Sequence, residues 1–359
     1  MGFVDMGFAD MGFVARHPRT AGFAAVLATA ILTAVLVATL SPVAARSGSG
    51  QAQHKASVED LLSAVVRVKT YINPDARTIE NLGREREGSG VVIDEDGLVL
   101  TIGHLMVEAH AAEISTSGGR TVPAIVVGYD HDSGFGLLRA LEPLRVRPMP
   151  MDKSDTLKEH DPALVASHGG RGMLGAVRVV SRRDYAGGWE YLLEDAIFTS
   201  PPHPDWSGAA LINREGKLVG VGSLAVRDAA KPNGIAPGNM FVPIDRLRPV
   251  LADLLANGRP STPPRPWLGM TSEEVSGRIL VSGVTPGGPA DKAGLKRGDI
   301  IAGVDGARIR TLPELYRKIW ARGRAGVVVP LDVMQDDAVR RVEVLSMDRL
   351  DHLKLKSTF

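Results

Sequence analysis

Cysteine is absent from this 359-residue chain. Its absence removes disulfides and thiolate metal sites from consideration. The histidines His110, His131, His168 and His203 show no paired ligand spacing, so no metal is expected and they read as scattered surface histidines. Net charge is nearly absent too. A formal +1 gives no field to gather nucleic acid or to recruit the chain to acidic membranes, and Arg182-Arg183 makes no basic patch. The glycines of GSG (88–90) and HGGRG (168–172) lack the strand-to-helix setting of a phosphate loop or dinucleotide fingerprint, so no cofactor is expected either.

What is present is turn-rich and globular: 44% hydrophobic residues, 40 Gly and 23 Pro, in a chain long enough for two or three domains with their own cores. Residues 21–40, AGFAAVLATAILTAVLVATL, carry no charge and are long enough to span a bilayer. Arg16, His17 and Arg19 precede them as a positive flank, and Val43-Ala44-Ala45 supplies the small residues of a cleavage site. Residues 1–46 therefore read as a signal peptide or a membrane anchor, and either places the bulk of the chain in a periplasmic or other extracytoplasmic compartment. The opening MGFVDMGFADMGFVAR repeats a five-residue unit, with Met11 as an alternative initiator, and receives no structural role.

A linker over 47–58 follows, with helix-like residues around Val58–Val66. Many short strands come next, among them SGVVIDEDGLVLTIGH with its Asp96-Gly97 hairpin turn, VPAIVVGYD, GAVRVVS, YLLEDAIF and KLVGVGSL. Such a series with little helix implies antiparallel barrels or sandwiches. Residues 245–256 break it with helical periodicity, stopped by Asn257-Gly258. RPSTPPRP, 259–266, reads as a semi-rigid spacer. A second module of α+β character then begins at Trp267. It contains a short helix between Pro289 and Gly294, and a longer helix in TLPELYRKIWARG.

Taken in order, these segments resemble the HtrA/Deg family, exported trypsin-fold serine proteases that carry PDZ domains. GSGVVIDEDGLVLTIGHLM resembles the segment ending in the catalytic histidine, at His104. VVGYDHDSGFGLLRA resembles the segment holding the catalytic aspartate, and DWSGAALINREGKLVGVGS the nucleophile segment, with Ser207 in the serine's place. NMFVPIDRLRPVLADLL resembles the exit from the protease barrel; PWLGM and GGPADKAGLKRGDIIAGVDG resemble a PDZ domain. The resemblance implies a mainly β fold: a trypsin-like double barrel over 59–258, a linker over 259–266, a PDZ domain over 267–348 and a tail over 349–359. It also implies peptides or unfolded proteins as partners, especially their C-termini, held by Leu268, Gly269 and Met270, with Leu315 and Ile319 (and Leu312) as groove lining or, equally, as core. A homotrimer through the protease domain and inner-membrane anchoring belong to the same expectation.

The departures concern the chemistry. A serine hydroxyl needs a histidine to take its proton, and a carboxylate to hold that histidine in the right tautomer. By spacing to Leu137-Leu138, the aspartate's position falls on Gly134. Asp132 and Asp130 are the available substitutes as a third member; the alternative for both is a solvated turn. The family's Gly-Asn-Ser-Gly-Gly-Pro reads here Asp205-Trp206-Ser207-Gly208-Ala209-Ala210, so the oxyanion turn would be built from Asp205, Trp206 and Ser207 with a carboxylate where negative charge must develop. Two readings stay open. One is an attenuated or inactive protease homologue acting by peptide binding in envelope protein quality control or scaffolding. The other is an active endopeptidase using Ser207 and His104 with a non-standard third residue.

Overall fold

The structure is a computed structural model and describes residues 57–335 and 338–355. The apolar stretch 21–40, with its signal-peptide and anchor readings, lies outside them. No helix among the described residues is long and apolar enough to cross a membrane.

β-Branched runs separated by turn residues make strands the dominant element. The first six close into an antiparallel barrel: β1 (Val65–Ile72), β2 (Glu85–Val92), β3 (Leu98–Ile102), β4 (Ala109–Ser115), β5 (Thr121–Tyr129) and β6 (Phe135–Ala140), in the order β1-β2-β3-β6-β5-β4. Helix α1 (Val58–Ser63) leads in, fixed by a capping box in which Ser57 and Asp60 satisfy each other's backbone N–H. It is shorter than its periodicity suggests. Val65 and Val66 lack χ1 freedom in a helix and start β1 instead. Short helices α2 (Ile79–Leu82) and α3 (Gly103–Met106) sit between strands. The Asp96-Gly97 turn forms between β2 and β3, with Gly97 at φ +75°.

A second closed barrel follows: β7 (Pro162–Ala166), β8 (Leu174–Gly187), β9 (Tyr191–Ser200), β10 (Ala210–Ile212), β11 (Leu218–Val226) and β12 (Gly238–Pro243), ordered β10-β11-β12-β9-β8-β7. The two barrels share one apolar cluster, in which Leu100, Ile102, Phe135 and Leu137 of the first meet Phe198, Ala210, Val221 and Met240 of the second. Of the helix expected over 245–256, the α-helical part is α4 (Leu251–Asn257), preceded by a single 3-10 turn at Ile244–Arg246. Pro249 explains the gap, since it lacks an N–H and disfavours helical backbone at Arg248. Gly258 caps α4 at φ +72°.

The third body is a sheet ordered β13-β14-β15-β17-β18, from β13 (Met270–Val275), β14 (Arg278–Val284), β15 (Ile300–Val304), β17 (Val328–Gln335) and β18 (Ala338–Leu345); β16 (Ala307–Arg308) pairs with β15. Helix α5 (Pro289–Lys292) has its proline in the first turn. Helix α6 (Leu312–Trp320) is capped by Thr311, which accepts the Glu314 N–H at 3.3 Å. The linker 259–266 is fastened along its length. Arg259 pairs with Asp348 at 2.5 Å, Ser261 bonds to Asp253, and Arg265 lies between Asp132 (3.2 Å) and the Trp320 ring (4.2 Å to its centroid). After α7 (Arg349–His352), Lys354 returns to the first barrel. Its N–H donates to Glu108 at 2.6 Å and its carbonyl accepts from Asn73 at 2.9 Å.

Candidate active site and peptide groove

His104 opens onto the barrel seam from α3, directly after β3. Gly103 before it admits no side chain, because a Cβ there would lie 2.1 Å from Tyr129 Cε2. Ser207 comes from the turn between β9 and β10. That turn is pinned to the first barrel: Ser89 donates its N–H to the Ser207 carbonyl at 2.8 Å, and Thr101 holds the Ser89 carbonyl at 2.7 Å. Gly208 adopts φ +72° and donates to Gly222 at 2.9 Å; a Cβ on Gly208 would lie 1.9 Å from the Ser89 carbonyl oxygen. These constraints bring His104 Nε2 to 2.6 Å from Ser207 Oγ, across 103 residues of chain. The two sequence candidates therefore meet at hydrogen-bond distance.

The third member is missing from this arrangement. Among the described residues no carboxylate is hydrogen-bonded to His104. Gly134 sits in the turn between β5 and β6 at φ +84°, donating to the Asp130 carbonyl at 2.8 Å and accepting the Gly103 N–H at 2.7 Å. Asp130 and Asp132 are engaged elsewhere. The buried Asp130 carboxylate accepts from the Ser133 hydroxyl at 2.5 Å and from the N–H groups of Asp132 and Ser133 at 3.1 Å, the pattern of a local Asx turn. Asp132 is exposed and pairs with Arg265 at 3.2 Å. Neither carboxylate is hydrogen-bonded to the histidine.

Without a carboxylate the imidazole is held neutral. Its enclosure, with a smaller push from the Arg86 guanidinium, brings His104 down to about 4. Arg86 is itself buried and donates to the carbonyls of His104 (2.9 Å) and Val107 (3.0 Å), so it fixes the backbone of α3. Trp206 places its ring 5.7 Å from the His104 ring at 56°. Asp205 is exposed, and the N–H groups of Asp205 and Ser207 donate to no protein acceptor among the described residues. Such amides are uncommitted donors for an oxyanion, though Asp205 sets a carboxylate beside them.

In the third body, Trp267-Leu268-Gly269 leads into β13 at Met270, with Gly269 at φ +74°. Leu268, Gly269 and Met270 turn their N–H groups to one acceptor, the carboxylate of Glu190 from the β8–β9 hairpin, at 2.8, 2.7 and 3.0 Å. Burial pushes Glu190 up to about 6 even though those amides pull the other way. Leu312, Leu315 and Ile319 are buried in the apolar cluster that also takes in Leu192 of β9.

Residues 88–221 match the family model described as a trypsin-like peptidase domain, and 266–345 match a PDZ domain. The periplasmic pH-dependent serine endoprotease DegQ of Escherichia coli is 30% identical, with 72% of this chain and 58% of that protein covered. The putative serine protease HhoA of Synechocystis is 28% identical over 70% of this chain and 68% of its own length. The serine protease PepD of Mycobacterium tuberculosis is 28% identical over 76% and 62%. A solved structure of the HtrA-type protease AlgW with a decapeptide has a TM-score of 0.50 at 20% identity, covering 82% of this chain and 99% of that one.

The chain belongs to the HtrA family. It spans about three fifths of the length of DegQ and PepD. Within an HtrA chain the histidine and serine segments carry strong local patterns, and both were readable from sequence. Three residues of this site were not. Arg86, Glu108 and Glu190 belong to no motif that the sequence offers, and all three are buried. Only Glu190 left a trace in the sequence: a lone carboxylate between Trp189 and Tyr191, just after Gly187-Gly188.

Proposed function

We propose that this HtrA-family chain is an exported peptide-binding protein whose serine-protease barrel is inactive or strongly attenuated. It acts in envelope protein quality control or scaffolding. The observation that carries the reading is the His104 imidazole with no carboxylate behind it, beside a Gly134 whose backbone is left-handed. In trypsin-fold enzymes, loss of the carboxylate's charge lowers turnover by about 10⁴. The altered oxyanion turn compounds this, because the Asp205 carboxylate stands where negative charge must develop and opposes it. The PDZ domain supports binding of peptides and unfolded segments, C-termini above all, by strand addition. The uncharged run 21–40 and the periplasmic relative DegQ support the extracytoplasmic, membrane-anchored or secreted setting.

A second reading has its own support. The 2.6 Å contact between His104 and Ser207, with the uncommitted amides of Asp205 and Ser207, favours a residual endopeptidase. Turnover of an unfolded protein substrate such as reduced casein separates the two. The expected result is a rate at least about 10³ below that of a complete triad, with no difference between the native chain and Ser207→Ala. A Ser207-dependent rate within tenfold of DegQ would establish the second reading. The homotrimer is tested in the same preparation by sedimentation.

A further inference from the structure

In the peptide mode of a PDZ domain, an extended segment lies beside an edge strand next to the helix, and its terminal carboxylate sits on the amides of the glycine loop. In this chain each of those places already has an occupant, and the occupant is the tip of the β8–β9 hairpin. Glu190 takes the three amides of Leu268, Gly269 and Met270. The Gly188 carbonyl accepts the N–H of Ser272 on the edge strand β13 at 2.8 Å. On the helix side, Tyr316 of α6 donates its hydroxyl to the Gly187 carbonyl at 2.7 Å, and Arg317 pairs with Asp184 at 2.5 Å. Leu192 and Ala186 pack with the apolar side chains of α6 and β13.

Two further observations mark this as a built contact. Glu190 adopts φ +59°, a backbone that only glycine takes without strain, so the hairpin tip is bent to present this side chain. Gly188 admits no side chain, because a Cβ there would lie 2.4 Å from the Ser272 carbonyl oxygen. A charged carboxylate enclosed and met by three N–H donors is the chemistry of a bound C-terminus.

The geometry points to the β8–β9 hairpin as an internal ligand of the PDZ groove, with the Glu190 carboxylate in the seat of a peptide's C-terminal carboxylate. The groove binds a peptide with a free C-terminus only when the hairpin leaves. This rests on the peptide-binding reading above. Apparent affinity falls by the fraction of molecules with the groove vacated. A tip docked in all but a few per cent of molecules weakens peptide binding by roughly 30-fold or more.

The test uses the full chain in mild detergent at pH 7.5 with two variants. Glu190→Ala removes the carboxylate, and Gly188→Val wedges the tip away from Ser272 while keeping Glu190. Hydrogen exchange of Leu268–Met270 and Ser272 reads docking directly. Anisotropy with a fluorescein-labelled decapeptide pool, randomised in its last four positions and bearing a free or an amidated C-terminus, reads access. The expected result is protection of those amides in the native chain and its loss in both variants with barrel protection intact. Free-carboxylate peptides then bind the variants at least about 30-fold tighter, and amidated peptides do not gain. Unprotected Leu268–Met270 amides in the native chain, or equal peptide affinity in all three proteins, would overturn the inference. Protection lost in both variants with no peptide bound by any protein would leave the docking in place and sink the peptide-binding reading instead.

Discussion

If the missing carboxylate were the whole of the deficit, Gly134→Asp would restore catalysis. The structure predicts that it does not. Gly134 stands at φ +84°, where an L-residue costs about 1–2 kcal/mol relative to glycine. Its built Cβ comes within 3.4 Å of Tyr191 Oη and 3.6 Å of Ile102 Cδ1, so a new side chain starts out against the tyrosine. The tyrosine is committed, because its hydroxyl donates to the Ser133 carbonyl at 2.8 Å. The turn holds this position in a left-handed backbone that glycine takes freely and an aspartate only at a cost. The expected cost of about 1–2 kcal/mol corresponds to a fall in melting temperature of about 2–8 °C for a body of this size. The expected gain in casein turnover is less than about tenfold, against the roughly 10⁴ that a seated carboxylate contributes. Thermal melts and casein kinetics on the native chain and the variant measure both quantities. An unchanged melt with a gain above about 10³ would refute the reasoning and show that the turn accepts the third member as it is.

Three other outcomes follow from the same geometry. Gly208→Ala puts a methyl 1.9 Å from the Ser89 carbonyl oxygen at a left-handed φ, so urea unfolding is expected to register a loss above about 3 kcal/mol. Glu108→Ala leaves the N–H groups of Arg77, Thr78 and Lys354 without their buried acceptor. The expected loss is about 3 kcal/mol, with faster hydrogen exchange around Lys354 and Asn73. For His104, the folded imidazole titrates near 4 against 6.5 unfolded. The unfolded chain takes up the proton first, so stability from this group is complete above 6.5 and lost as the pH falls towards 4. The melting temperature of the native chain should accordingly drop relative to His104→Gln between pH 7.5 and 5. A constant difference would refute the assignment.

The fold was legible because its signals are local. Asp96-Gly97, Asn257-Gly258 and Pro289 mark turns and caps by their own backbone limits, and the β-branched runs between them make strands whatever lies elsewhere. His104 and Ser207 were legible as residues of short dense motifs. Contacts that span the chain were not. Glu190 meets its loop 78–80 residues away, and Glu108 meets Lys354 across 246; no periodicity or turn chemistry announces either. The contacts of the 259–266 segment were hidden in the same way. Proline content predicts stiffness, but the fastening through Arg259 and Arg265 depends on Asp348, Asp132 and Trp320, which the linker's own sequence does not contain.

The central claim is that His104 and Ser207 meet without becoming a working nucleophile. A fluorophosphonate probe tests it most directly, since it labels serines only when they are activated. Applied to the folded full chain, with Ser207→Ala as control and with C-terminal peptides present or absent, the account predicts no labelling above the control. Labelling that disappears in Ser207→Ala would contradict it and show that the site is assembled despite Gly134.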